Sequence, residues 1–364
     1  VYFIILISIL NFRDNTFTNG IRFSILIFID IFIPYFIFSR HIKTKKDFQN
    51  VFTVLFIGII PFAAIGVFES LRHWFLYPKI SEAIFQLASR NNAYIDVRGG
   101  SLRSAALFAS PIVLGYMMII ISGLLIYIKS LTKNDRLITL AFIIIIACIL
   151  STKTRGPWIG LVVMYTSYLW LGKSGMRNIF SFILGLAILL PLINLTNIGS
   201  KYIDMLPIIG STRSDTIDYR VRLIENAWVV FQKNPLFGTT NFLETPEMES
   251  MRQGQGIIDL VNTFIQIVLP YGALGLILFS AIFISLIFRC YKTIKFLPEN
   301  ERDFIKIGKS LFAILCGILF TISTVSSIGH IPVMYWTLIG VTAAYLHITR
   351  EIIIKSNILS QNTL

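Results

Sequence analysis

The chain has 364 residues, 55% of them hydrophobic and 14% charged, with a mean hydropathy of +0.74 and a net charge of +13. Soluble enzymes carry about 25% charged residues, and here the apolar excess runs from end to end. This excludes a soluble enzyme, a disordered or fibrous chain and a single-helix anchor.

In chain order, ten apolar runs are predicted as helices: 1–12, 23–39, 51–68, 105–128, 137–151, 157–172, 178–195, 260–288, 310–326 and 331–348. A helix crosses a bilayer with roughly 20 residues. Most runs meet that length, and 137–151 does so by drawing in Ser151 and Thr152. The runs are continuous, whereas a β-barrel would show short alternating segments. The expectation is an all-α polytopic membrane protein with about ten transmembrane helices in this fragment. It forms one integral membrane domain over 1–364, with two larger extracytoplasmic loops, 69–104 and 196–259. Val1 lies inside an apolar run, so residues ahead of it are expected to be missing.

Basic residues set the orientation. One alternating set of gaps holds seventeen of the 32 Lys and Arg, whereas the short gaps of the other set hold four: Arg13, Arg22, Lys153 and Arg155. Short basic loops stay in the cytoplasm, so both long loops are expected outside. Placed in these gaps, the positive charge points to topology and lipid headgroups, not to nucleic acid. Cys148, Cys290 and Cys316 are too far apart to suggest a disulfide framework or a metal site. No Gly-rich phosphate loop, His-Glu-x-x-His or Asp-x-Asp motif occurs, so neither a cofactor nor a metal is expected.

Function is then expected where the long loops meet the membrane. Asp30 is the one acid deep in an apolar run, and a buried intramembrane acid is a functional candidate. Arg98-Gly99-Gly100-Ser101-Leu102-Arg103-Ser104 is a basic, glycine-bearing turn ahead of an inward-running helix. Ser151-Thr152-Lys153-Thr154-Arg155-Gly156-Pro157-Trp158 joins two helices, with Pro157 suited to a first helical turn. The outward-facing N-terminus there favours an anion, and Arg155 adds a forked cation; a snorkelling arginine is the plainer alternative.

Residues 218–231 read as an amphipathic helix stopped before Pro235. At about 100° per residue, Ile217, Arg220, Val221, Ile224, Ala227, Trp228 and Phe231 are predicted on one packed, membrane-facing side, with Arg222, Asn226 and Lys233 pointing the other way. A charge on an apolar face needs a partner; Arg220 either serves a substrate or pairs with Asp218 or Asp215. Asp259, Asn262 and Gln266 are predicted to share one face of the next helix. They line a polar pocket or act as hydrogen-bond glue between helices, and Asp259 is also a candidate helix cap.

This ordered set resembles the O-antigen polymerase and O-antigen ligase superfamily over about residues 90–290. The residues that carry the resemblance are Thr154-Arg155-Gly156, Arg220 ahead of Pro235-Leu236-Phe237-Gly238, Asn262 with Gln266, Gly272 with Gly275, and Arg98-Gly99-Gly100-Ser101. Ligase-type members have His-Asn where this chain has Val261-Asn262, and that histidine acts as base toward the acceptor hydroxyl. Its absence favours the polymerase.

The resemblance implies a metal-independent glycosyltransferase in the bacterial inner membrane, multi-pass. It polymerises undecaprenyl-diphosphate-linked repeat units of a surface polysaccharide at the outer face. A ligase transferring the glycan to lipid A core or protein is the alternative, and a polysaccharide transporter the second. The implied partners are the undecaprenyl-diphosphate-linked glycan, membrane lipids and a chain-length regulator. Arg155, Arg220 and Asp259 are the expected catalytic residues, with Asp259 as base, and Arg98, Arg103, Asn262 and Gln266 the expected substrate-binding ones.

Overall fold

The structure is a computed structural model and describes residues 1–13, 15–76, 97–98, 101–108, 110–196, 199–200, 203, 214–253 and 256–361. Each of the ten apolar runs contributes a helix. They are α1 (Tyr2–Asn11), α2 (Phe17–His41), α3 (Lys45–Arg72), α4 (Pro111–Ile128), α5 (Asp135–Ser151), α6 (Arg155–Trp170), α7 (Gly175–Asn194), α9 (Thr263–Phe296), α10 (Arg302–Thr324) and α11 (Ile331–Gln361), with the polar-region helix α8 (Ser214–Lys233) between α7 and α9. The one ladder among the described residues pairs Val97–Arg98 (β1) with Ser101–Leu102 (β2).

Seven of these helices are long and apolar enough to cross a membrane: α2, α3, α4, α7, α9, α10 and α11. The other three runs give shorter helices, α1 with 10 residues, α5 with 17 and α6 with 16. The expected count of ten therefore comes to seven by length among the described residues. Helix α7 carries a mean hydropathy of 2.0 yet buries none of its residues. A helix this apolar with so little protein cover needs lipid around it. The chain is a multi-pass, all-helical membrane protein.

Local chemistry explains the helix ends. Thr44 and Asp47 form a reciprocal capping box at the start of α3. Within α2, residues Phe28–Phe32 widen into a π-helical turn just before Pro34. The proline has no N–H and its ring crowds the preceding turn, so the backbone widens there. Asp30 sits in this turn and faces out from the protein surface, within a helix long and apolar enough to cross a membrane.

The chain forms two compact units. The first comprises Val1–Lys43, Arg213–Pro298 and Ile322–Leu364; the second comprises Thr44–Thr212 and Glu299–Thr321. In the second unit α4 is the buried centre. Small residues bring its neighbours close: Ser310 donates to the Gly123 carbonyl, and Gly160 meets Gly317 and Thr321. In the first unit the rings of Phe279, Phe283, Tyr335 and Trp336 pack edge to face or tilted between α9 and α11.

Candidate functional site

In the second unit, the end of α3, the 101–106 segment and the turn before α6 form one buried polar cluster. Lys153 is 3% exposed and Arg103 8%. The two segments lock reciprocally: Lys153 Nζ donates to the Leu102 carbonyl at 3.1 Å, Arg103 Nε to the Thr152 carbonyl at 3.1 Å, and the Ser104 N–H to the Ser151 carbonyl at 3.2 Å. Glu69, fully buried, accepts from the Ala105 and Ala106 N–H groups at 3.1 and 2.9 Å. Sequence reasoning passed over Glu69 because it lies one residue beyond the apolar run 51–68; an acid at that boundary was the available signal. Arg155 opens α6 and is half-buried, with Pro157 in the first turn as expected. Trp158 fixes the turn by donating to the Ile149 carbonyl at 2.7 Å. Arg98 pairs with Ser101 in the β1–β2 ladder, while Gly99 and Gly100 lie outside the described residues.

In the first unit, α8 lies on the 242–251 segment. Leu223, Ala227 and Val230 pack with Phe242, Met248, Met251, Leu260 and Leu269. An ion pair of 2.6 Å from Lys233 to Glu247 braces the same contact and holds the Glu247 carboxyl below its usual range. The predicted phase of α8 is corrected here. Val221, Ile224 and Trp228 are exposed, whereas Leu223 and Val230 are buried. The apolar arc of this helix is wide, and the packed side lies at its Leu223 edge. Arg220, at the boundary of the packed side, is half-buried, and Arg222 is exposed as expected. The side chains of Asp215 and Ile217 lie outside the described ones; Asp218 is exposed.

The helix start near Asp259 is also corrected. Helix α9 begins at Thr263, capped by Asn262, whose side chain accepts from the N–H groups of Phe264 and Ile265 at 2.8 and 3.4 Å. Residues 259–262 therefore lie outside the helix, with Val261 at φ 39°. Asp259 neither caps α9 nor shares a helical face with Asn262 and Gln266, because the Asn262 cap stops the helix from running back to it.

Residues far apart in sequence instead converge on the 324–327 turn after α10. Arg220 donates to the Thr324 carbonyl at 3.2 Å, and Thr263 to the Val325 carbonyl at 2.8 Å. The Ser326 hydroxyl donates to Asp259 Oδ1 at 2.9 Å, and the Ser327 N–H to Gln266 Oε1 at 2.8 Å. Tyr219 donates to the Asp259 carbonyl at 2.8 Å; burial pushes its phenol pKa up, and Gln253 partly offsets this. Asp259, Gln266 and Ser326 line a cavity of about 420 Å³ together with Asn11, Thr240 and Tyr271. Glue and pocket thus coincide at Gln266. The Ser326-Ser327 pair interrupting an apolar stretch was the signal that could have marked this turn as part of the site.

The Pro-Leu-x-Gly segment has a defined backbone role. Helix α9 breaks at Gly272 (φ 63°, ψ −165°), just after Pro270. The freed N–H of Ala273 donates to the Pro235 carbonyl at 2.8 Å, and the N–H of Thr239 to the Leu269 carbonyl at 2.8 Å. Gly238 (φ 64°) lies against the 269–272 backbone and Gly272 against the 236–237 backbone; a side chain on Gly272 would meet the Leu236 carbonyl.

This segment, Arg155, Arg220, Asp259 and Gln266 all fall within residues 140–280, which match the family model described as O-antigen ligase. The similarity to the O-antigen ligase family covers residues 140–280, less than half of the chain. No curated protein was found to match the chain. Within the matched region, the first unit brings Arg220, Asp259 and Gln266 to one turn. The second unit joins Arg103 to the turn that precedes Arg155. Arg98 and Arg103 lie ahead of the matched region. Among the described residues no group of three or more His, Cys, Asp or Glu could hold a metal ion.

Proposed function

We propose that the protein transfers a glycan from a lipid diphosphate to an acceptor hydroxyl at the outer face of the inner membrane. The O-antigen ligase match over 140–280 carries this reading, and it favours the ligase over the polymerase as the first assignment. The acceptor is then a lipid A core sugar or a protein. The observation that keeps the polymerase as a second reading is Val261, where ligase-type sequences have a histidine base.

In either case the acceptor oxygen bonds to the anomeric carbon, the bond to the diphosphate oxygen breaks, and the hydroxyl proton goes to a base. Arg155 and Arg220 are assigned to the charge that develops on the leaving diphosphate; each such donor is worth about 2.7–4 kcal/mol. Gln266 and Asn262 are assigned to the glycan, with Asn262 contributing through the helix start that it caps. Arg98 and Arg103 are assigned to the donor. Lipid-linked glycans in a strain lacking the protein test the class. Accumulated long lipid-linked chains support the ligase; accumulated single repeat units support the polymerase; an unchanged profile defeats both.

Asp259 is assigned as the base because it faces the cavity beside Gln266. Asp259→Asn keeps the hydrogen bond from Ser326 but cannot take a proton. Turnover is expected to fall by about 10²–10⁴-fold with normal expression, as measured by transfer in membranes. Near wild-type turnover would leave Asp259 as a brace for the 326 turn only.

The orientation has its own test. In a cysteine-free background, Glu244→Cys is expected to react with an impermeant thiol reagent in intact spheroplasts, and Ser130→Cys only after lysis. The reverse pattern would invert the topology.

A further inference from the structure

Away from the Asp259 cavity, the first unit holds a second cavity of about 400 Å³ between α1, α2, α9 and α11. Its wall is largely apolar, with Phe32, Ile282, Leu286, Trp336 and Ala343, and Ser285 and His347 add polar groups. Arg289 near the end of α9 and Arg350 on α11 also line it, and both are exposed. Among the described residues neither arginine has an ion-pair partner. Helix α9 adds Lys292 and Lys295 beyond Arg289, each over an aromatic ring. The acid at this end, Glu351, lies 3.8 Å from His347.

An apolar slot with two uncompensated guanidiniums along it matches one chemistry, an amphiphile with an anionic head and a hydrocarbon tail. Basic pockets between membrane helices bind anionic headgroups, and the volume lies in the range of ligand pockets, roughly 300–1,000 Å³. We propose that this cavity binds an anionic phospholipid, one acyl chain against Trp336 and its phosphate on Arg289 and Arg350. The charge asymmetry of the loops assigns this end to the cytoplasmic leaflet. The site does not depend on the glycan-transfer reading.

Native mass spectrometry of the purified full chain with added phosphatidylglycerol or phosphatidylcholine tests the head. Wild type is expected to retain phosphatidylglycerol about tenfold or more over phosphatidylcholine, and Arg289→Ala/Arg350→Ala to erase that preference. Ala343→Trp, which keeps both charges but fills the slot, is expected to lower phosphatidylglycerol retention as well. Equal retention of the two lipids by wild type, or undiminished phosphatidylglycerol retention in both variants, would overturn the site. Phosphatidylglycerol with brominated chains tests the tail. It is expected to quench wild-type tryptophan emission more than that of Trp336→Phe; equal quenching would place the chain elsewhere and overturn the proposal.

Discussion

Replacing Gly272 by alanine is expected to lower the unfolding midpoint of the detergent-solubilised protein by about 6–12 °C and to abolish transfer. Gly272 has φ 63° and ψ −165°, a region open almost only to glycine. An added Cβ would also run into the carbonyl of Leu236, part of the segment that supplies the Ala273 N–H with its acceptor. Strain of this kind costs about 1–3 kcal/mol, and a lost backbone hydrogen bond adds about 0.5–1.5 kcal/mol more. Gly238→Ala, at φ 64° against the Leu269 carbonyl, should behave alike. Gly185→Ala is the control: nothing lies within 4 Å of its added Cβ, and it should be neutral or stabilising by up to about 1 kcal/mol. A Gly272→Ala protein that melts with wild type would remove the helix break from the account of the site.

The second large effect is expected at the arginines. Arg220→Ala should reduce transfer by about 10²–10³-fold, the scale for one lost donor to a developing oxyanion, while the protein stays in the membrane. Arg155→Lys should fail similarly, because lysine keeps the charge but loses the planar fork. Arg222→Ala, two residues from Arg220 but exposed, should stay within a few-fold of wild type. The readout is transfer in membranes at matched protein levels. Loss of activity in Arg222→Ala with retention in Arg220→Ala would remove Arg220 from the reaction. Transfer is also expected to survive EDTA; a restorable requirement for a divalent ion would defeat the arginine assignment.

Several features were readable before any coordinates. The apolar runs became helices because an unbroken run of that length has no other way to satisfy its backbone in lipid. The stop of α8 ahead of Pro235 followed from proline chemistry, as did Pro157 in the first turn of α6. The predicted face of α8 failed for a specific reason. Its apolar residues span a wide arc, and periodicity fixes the arc but not which edge meets protein. The packing partners Phe242, Met248 and Met251 select the Leu223 edge and leave Trp228 exposed.

The same division holds at the candidate site. By itself the sequence determined a polytopic helical membrane protein, polar segments between its spans, and Arg155, Arg220, Asp259 and Gln266 as residues out of place in apolar surroundings. Those conclusions rest on local composition and spacing, which act along the chain. Only the tertiary structure decided that Asn262 caps α9, that Glu69 holds the 105–106 backbone, and that Arg220, Asp259 and Gln266 meet at residues 324–327. Arg220 and Gln266 pair there with backbone groups, and Asp259 with the Ser326 hydroxyl, about sixty to a hundred residues away in sequence. Every residue offers the same carbonyl and N–H, so nothing in the residue types says which of them a distant arginine or glutamine will find.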